Sequence, residues 1–206
     1  MTSVYDGGGH GTNVLSTIAG NEPGKLIGTA YKASFALAQT EESRHELIVE
    51  EANWLRGAEW ADSLGTDIIS SSLGYSTFDN PLHNHTYADM NGKSTLVSKA
   101  AAWAASKGIL CTISAGNEGA NEWKYITAPA DADSILTVGS VNALGGLSSF
   151  SSTGPSFDGR IKPDVVSMGS NTVVGNTDGT LGISNGTSFS APLIAGLAAG
   201  LMQSFP

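Results

Sequence analysis

The chain has 206 residues, enough for one domain with a substantial buried core. Hydrophobic residues make up 40% and aromatics 7%, but charged residues only 14%, and 26 glycines point to tight turns and close backbone approaches. A formal net charge of −9 and an isoelectric point near 4.7 exclude nucleic acid and anionic membrane as partners, and no apolar run nears the roughly 20 residues needed to cross a bilayer.

In chain order, HGTNVLSTIAG predicts a short helix entered at His10 and stopped at Gly20. KASFALAQT, residues 32–40, reads as a strand. Residues 46–65 read as a helix with Leu47, Trp54, Leu55, Ala58 and Ala61 on one face and Gly65 as its stop. A strand is expected over 66–74, then a helix over 94–108 capped by Asn91 or Ser94 and ended by Gly108. ILCTISAG, residues 109–116, reads as a buried strand, and Cys111 in it as a small core hydrophobe. Cys111 is the only cysteine, so the chain has no internal disulfide. Residues 134–141 and 163–167 are further strands. Residues 171–184 read as a hairpin turning at Asp178-Gly179, and a last helix runs from about Thr187 to Met202.

Strands that alternate with helices and carry continuous apolar runs imply a mostly parallel central sheet flanked by helices, a three-layer α/β fold. No repeat, charge block or Pro-rich linker marks a second domain, so residues 1–206 are read as one. In such sheets, sites gather at the carboxyl ends of strands and the helix N-termini that follow.

Three segments at those junctions carry candidate chemistry. Ser188, in NGTSFSAPLIAG, opens the last helix, with Pro192 expected in its first turn. A serine hydroxyl becomes a nucleophile only when a base takes its proton, and a helix N-terminus favours the negative charge that attack creates. His10 is a candidate base at the first helix N-terminus. Asn117, in SAGNEG, leaves an apolar strand with an amide able to donate to an oxyanion. Each alone is also an ordinary cap or turn residue; together they form a nucleophile, base and oxyanion-donor set.

These segments resemble those of the subtilisin-like serine peptidases, the subtilases. HGT resembles the family's histidine segment, SAGNEG its oxyanion segment and GTSFSAPLIAG its nucleophile segment. SSSLGY, residues 70–75, resembles the strand that pairs with bound peptide, and APA, residues 128–130, the turn beside the specificity pocket. The resemblance runs in the family's order from His10 to Met202. It implies a serine endopeptidase in which His10 deprotonates Ser188, while Asn117 and the Ser188 N–H hold the oxyanion. Polypeptide substrate is implied to pair with Ser72, Leu73 and Gly74. Ala115, Gly116, Thr127 and Ala128 are implied to line the pocket for the side chain preceding the cut, and such small residues suggest an open pocket for bulky or apolar groups. A G-x-S-x-G esterase elbow does not fit Ser188.

The chain departs from the family in its acid. The resemblance implies an aspartate on a strand tens of residues before the histidine, yet only nine residues precede His10. The expectation is a partial domain, lacking an N-terminal sheet strand and short at the C-terminus, with the triad aspartate outside this chain. Asp6 lies across three glycines from His10, a loose tether for an orienting carboxylate, and reads as a loop residue. Asp67, Glu41 and Glu42 are other acids that nothing singles out. Calcium is common in the family, but no binding loop is matched; Glu22, Asp131 and Asp133 read as solvated surface acids, and no cofactor is expected. Secretion, or a periplasmic or cell-surface location, and an upstream segment or propeptide as partner rest on the resemblance. The competing reading is a non-catalytic peptide-binding pseudo-enzyme or an inactive fragment.

Overall fold

The computed structural model describes residues 8–205. The chain runs through α1 (His10–Ala19), the short strands β1 (Asn21–Glu22) and β2 (Leu26–Ile27), α2 (Val49–Ser63), β3 (Ile68–Ser71), α3 (Leu96–Ser106) and β4 (Leu110–Ser114). It continues through β5 (Leu136–Val141), β6 (Val165–Met168), β7 (Thr172–Gly175), β8 (Leu181–Ser184) and α4 (Thr187–Ser204). Strands β3, β4, β5 and β6 form a parallel sheet in that order. Helices α2 and α3 pack together on one face, while α4 crosses the other with α1 beside it. This is the expected three-layer α/β arrangement.

The pleat of β4 assigns its residues to the two layers. Cys111 and Ile113 enter the main core with Trp54, Val97, Ala101 and Ala104 of α2 and α3. Thr112 and Ser114 therefore turn to the opposite face, beneath α4. That face is small and polar, which lets α4 approach closely. Ser190 Oγ donates to the Ser167 carbonyl at 3.1 Å, and Ser167 Oγ donates to the Ser190 carbonyl at 2.9 Å. A Cβ on Gly169 would strike Ser190, Ser140 and the Gly186 carbonyl, so only glycine fits beside the helix start.

Several boundaries differ from the sequence reading. Residues 32–40 form no strand, and Phe35 and Leu37 are 40% and 42% exposed. A strand needs a neighbour for its backbone groups, and among the described residues none lies beside this segment. The outer edge of β3 likewise has no partner strand there. Leu47 lies outside α2 and is exposed, because the Glu50 carboxylate accepts from the Leu47 N–H at 3.0 Å and starts the helix after it. Helix α3 is capped by Thr95, whose side chain accepts from the Ser98 N–H, not by Asn91 or Ser94. Asp131 is fully buried, not a surface acid: it accepts from the Gly92 N–H at 2.6 Å and from Ser98 Oγ at 2.5 Å. Gly65 and Gly108 end their helices at φ +72° and +90°, and the β7–β8 hairpin turns where Asp178 accepts from the Thr180 N–H.

Candidate active site

Ser188 is the second residue of α4, 8% exposed, at the end of the sheet where β3 and β4 release the chain. Pro192 is the sixth residue of the helix, not a first-turn residue. Lacking an N–H, it leaves the Ser188 carbonyl without its helical donor. Ser72 replaces that donor: its Oγ donates to the Ser188 carbonyl at 2.7 Å. Helix α4 is thereby tied to the segment just beyond β3, a role for Ser72 that the sequence alone does not suggest. Proline four residues after the serine signals a free carbonyl but not its donor.

Asn117 follows β4 on the segment containing Gly116, whose φ of +106° carries the chain away from the sheet. Its Oδ1 accepts from the Thr187 N–H at 2.9 Å and lies 3.0 Å from Thr187 Oγ1. The Thr187 N–H, which can only donate, sets the amide orientation, so Nδ2 is the end left to donate. Asn117 and Ser188 line the same cleft. Of the implied substrate residues, Ser72, Leu73, Gly74, Gly116 and Thr127 line it too. Ala115 and Ala128 do not; both methyl groups are fully buried in the main core, behind the cleft wall. The far end of the cleft is formed by Glu46, Ser76, Thr77, Phe78 and Asp79, which the sequence reading did not single out. The cleft encloses about 490 Å³.

Backbone pairing distinguishes the two walls. The Tyr75 N–H donates to the Ala128 carbonyl at 2.7 Å, and Ala128 returns the bond at 3.1 Å. The N–H groups of Leu73 and Gly74 and the Gly74 carbonyl have no backbone partner among the described residues. They present a free extended edge of the kind an added peptide strand can use.

His10 is the first residue of α1 and does not line the cleft. Its ring lies edge-on to Phe189, the neighbour of Ser188, with centroids 6.3 Å apart. Helix α1 is held by the hairpin: Asn13 Nδ2 donates to the Gly175 carbonyl at 2.8 Å, and the Gly175 N–H donates to Ser16 Oγ at 2.7 Å. Although the residue as a whole is exposed, protein around its ring excludes water and lowers the His10 pKa below the usual value of 6.5. It therefore remains neutral, and able to take a proton, to more acidic pH. Among the described residues no carboxylate hydrogen-bonds to His10. Asp67 stands at the amino end of β3, remote from the strand ends that carry Ser188, and Glu41 accepts from the Tyr75 hydroxyl at 2.5 Å. Asp6 lies outside the described residues.

Burial pushes the Cys111 thiol up to about 12, so it is no competing nucleophile. Glu41, Glu46 and Glu50 bring carboxylate oxygens within 4.8 Å of one another. Glu50 in this group already accepts from the N–H groups of Glu42 and Leu47, which makes it a helix-start support. Glu22 pairs with Lys25 at 2.6 Å on the surface, and Asp133 is exposed.

The family profile described as "Subtilase family" matches residues 2–206. Subtilisin E of Bacillus subtilis (strain 168) is 35% identical over 209 residues, an alignment covering 100% of this chain and 49% of that protein. Subtilisin of Bacillus pumilus is 34% identical and is covered to 67% of its length by the whole of this chain. A cold adapted subtilisin-like serine proteinase superposes with a TM-score of 0.70 at 26% identity, over 97% of this chain and 63% of that one. The self-cleaved protease domain of PatA superposes with a TM-score of 0.77 at 24% identity, over 95% and 67%, a likeness of fold. The chain spans about half the length of subtilisin E.

Proposed function

The chain belongs to the subtilase family, and from that premise we propose that it carries the nucleophile, base and oxyanion donor of a serine endopeptidase. The observation that supports this reading most directly is the pinned Asn117 amide. Thr187 holds its oxygen, so its Nδ2 is preorganised before any substrate arrives, beside a serine at a helix N-terminus.

In this reading an extended polypeptide pairs with the free edge of Leu73 and Gly74 and lays its scissile carbonyl over Ser188. His10 takes the Ser188 proton as Oγ attacks, forming a tetrahedral intermediate. Its oxyanion is held by Asn117 Nδ2 and the Ser188 N–H, which the open first turn of α4 leaves without a helical acceptor. His10 then protonates the leaving amine, and water, deprotonated by His10, releases the acyl group. We assign the carboxylate that orients His10 to a segment outside this chain. Secretion, and a precursor segment as partner, belong to the same proposal.

The experiment is covalent labelling with a fluorophosphonate probe, read by intact mass and peptide mapping. Labelling on Ser188 that disappears in Ser188→Ala is the expected result. Absence of Ser188 labelling, in this chain and in a longer form that supplies the acid, sinks the peptidase reading. The missing His10 partner among the described residues favours one alternative, a peptide-binding module without hydrolysis; it predicts peptide binding with no labelling.

A further inference from the structure

The free edge of Leu73 and Gly74 and the segment Ala115–Asn117 face each other across the floor of the cleft, and the space between them is filled by Thr127. A Cβ added to Gly74 would overlap Thr127 Oγ1, and one added to Gly116 would stand 2.9 Å from the same oxygen and 2.8 Å from Ser152 Oγ. Two glycines on different segments thus open a slot that one threonine side chain closes. Thr127 is 4% exposed, and its Oγ1 is one of two buried side-chain polar atoms with no hydrogen-bond partner among the described residues. An unpaired buried hydroxyl is rare, because it forfeits its hydrogen bonds to water without replacement. Nothing in the fold satisfies this one. Its side chain acts as volume.

We propose that Thr127 is a size gate that restricts the residue preceding the cut to small side chains such as glycine, alanine and serine. The inference rests on the peptidase reading for the placement of substrate: a peptide paired with Leu73 and Gly74, its carbonyl between Ser188 and Asn117, directs that side chain at the slot. A large side chain entering there meets the threonine side chain, whose Oγ1 is wedged so closely between Gly74 and Gly116 that a Cβ at either would crowd it. The gate is the opposite of the expectation of an open pocket for bulky groups. The residues are small, as the sequence says, but the segments that carry them approach closely enough for one threonine to fill the gap.

The test is fluorescence anisotropy with labelled peptides of one sequence ending in Ala, Leu or Phe, so that the varied residue lies at the Ser188 end and no bond is available to be cut. For the wild-type chain the Ala peptide is expected to bind about tenfold more tightly than the Phe peptide. Thr127→Gly should reverse that order. Thr127→Val, which keeps the shape and removes the orphaned hydroxyl, should preserve it without loss of thermal stability. Equal or tighter binding of the Phe peptide by the wild type overturns the gate, as does an unchanged ratio in folded Thr127→Gly or an absence of binding by all three peptides. Ser188 labelling separates the two readings. Labelling with an unmoved peptide preference sinks the gate alone, whereas the expected preference without labelling, in this chain and in a longer form that supplies the acid, sinks the peptidase reading and leaves Thr127 as a size gate for a bound peptide's terminal residue.

Discussion

Ser188 and Asn117 are held by the parallel sheet and by one another's neighbours: Thr187 bonds Asn117, Ser72 bonds the Ser188 carbonyl, and Ser190 and Ser167 exchange hydrogen bonds below. His10 stands in a region built differently. Its helix is fastened along one side to the β7–β8 hairpin, and residues 32–40 farther along are unpaired in any sheet and, apart from Thr40, exposed. Ser188 and Asn117, the proposed nucleophile and oxyanion donor, are thus each held by hydrogen bonds to neighbouring segments, while His10, the proposed base, has a contact to Phe189 and no carboxylate behind it among the described residues. In a serine peptidase, electrostatic preorganisation around the oxyanion survives loss of the other parts, so the sheet-borne half is the half that sets residual activity.

The largest expected effect breaks the comparison if it fails. His10→Ala should slow fluorophosphonate labelling of Ser188 by about 10²–10⁴, the usual size of a general base's contribution. In the wild type, the lowered His10 pKa should let labelling persist below pH 6.5 before its acid limb falls. An unchanged rate in His10→Ala means that the base is elsewhere, and the two regions do not share a site.

Next in size is Asn117→Asp, which divides the residue's structural and chemical roles. An aspartate retains the oxygen that accepts from Thr187 and lacks the free donor. Thermal stability should hold while labelling falls by about 10²–10³; that magnitude comes from subtilisin itself and is therefore a within-family figure. A matching loss of stability and labelling would make Asn117 a strut for α4 and nothing more.

What could be read in advance divides along the same line. α1, α4 and the hairpin were legible because their signals are local: His10 and Gly20 bound one helix, and Asp178-Gly179 turns the hairpin. The grouping of Asn117 with Ser188 was legible because strand order in a parallel sheet sends both to one end. Residues 32–40 were misread because the pattern of a strand says nothing of whether a neighbour will pair with it. That the Ala115 and Ala128 methyl groups enter the core was not legible because the resemblance names positions and not directions. The proposed role of Thr127 was not legible for a related reason: it depends on how closely Gly74 and Gly116, distant in sequence, approach its side chain.

The smallest effect sharpens the contrast through charge. At the far end of the cleft, away from Ser188, Glu46 faces Glu50, Glu41 and Asp79. Loss of water around it, followed by those charges, raises its pKa from 4.5 to about 7. A carboxyl with a raised folded-state pKa holds a proton that the unfolded chain has released. Its stabilisation is complete below about pH 4.5 and is lost as pH rises through 7. Burial also raises the pKa of Glu41 and Asp131, so a slope of the same sign remains when Glu46 is changed. Glu46→Gln should therefore flatten, without abolishing, the fall in urea-unfolding stability between pH 4.5 and 7, by roughly 1 kcal/mol once solvent screening of this accessible group is allowed for. A slope unchanged by Glu46→Gln would assign the fall to Glu41 and Asp131, whose pKa values burial also raises, and away from the open end of the cleft.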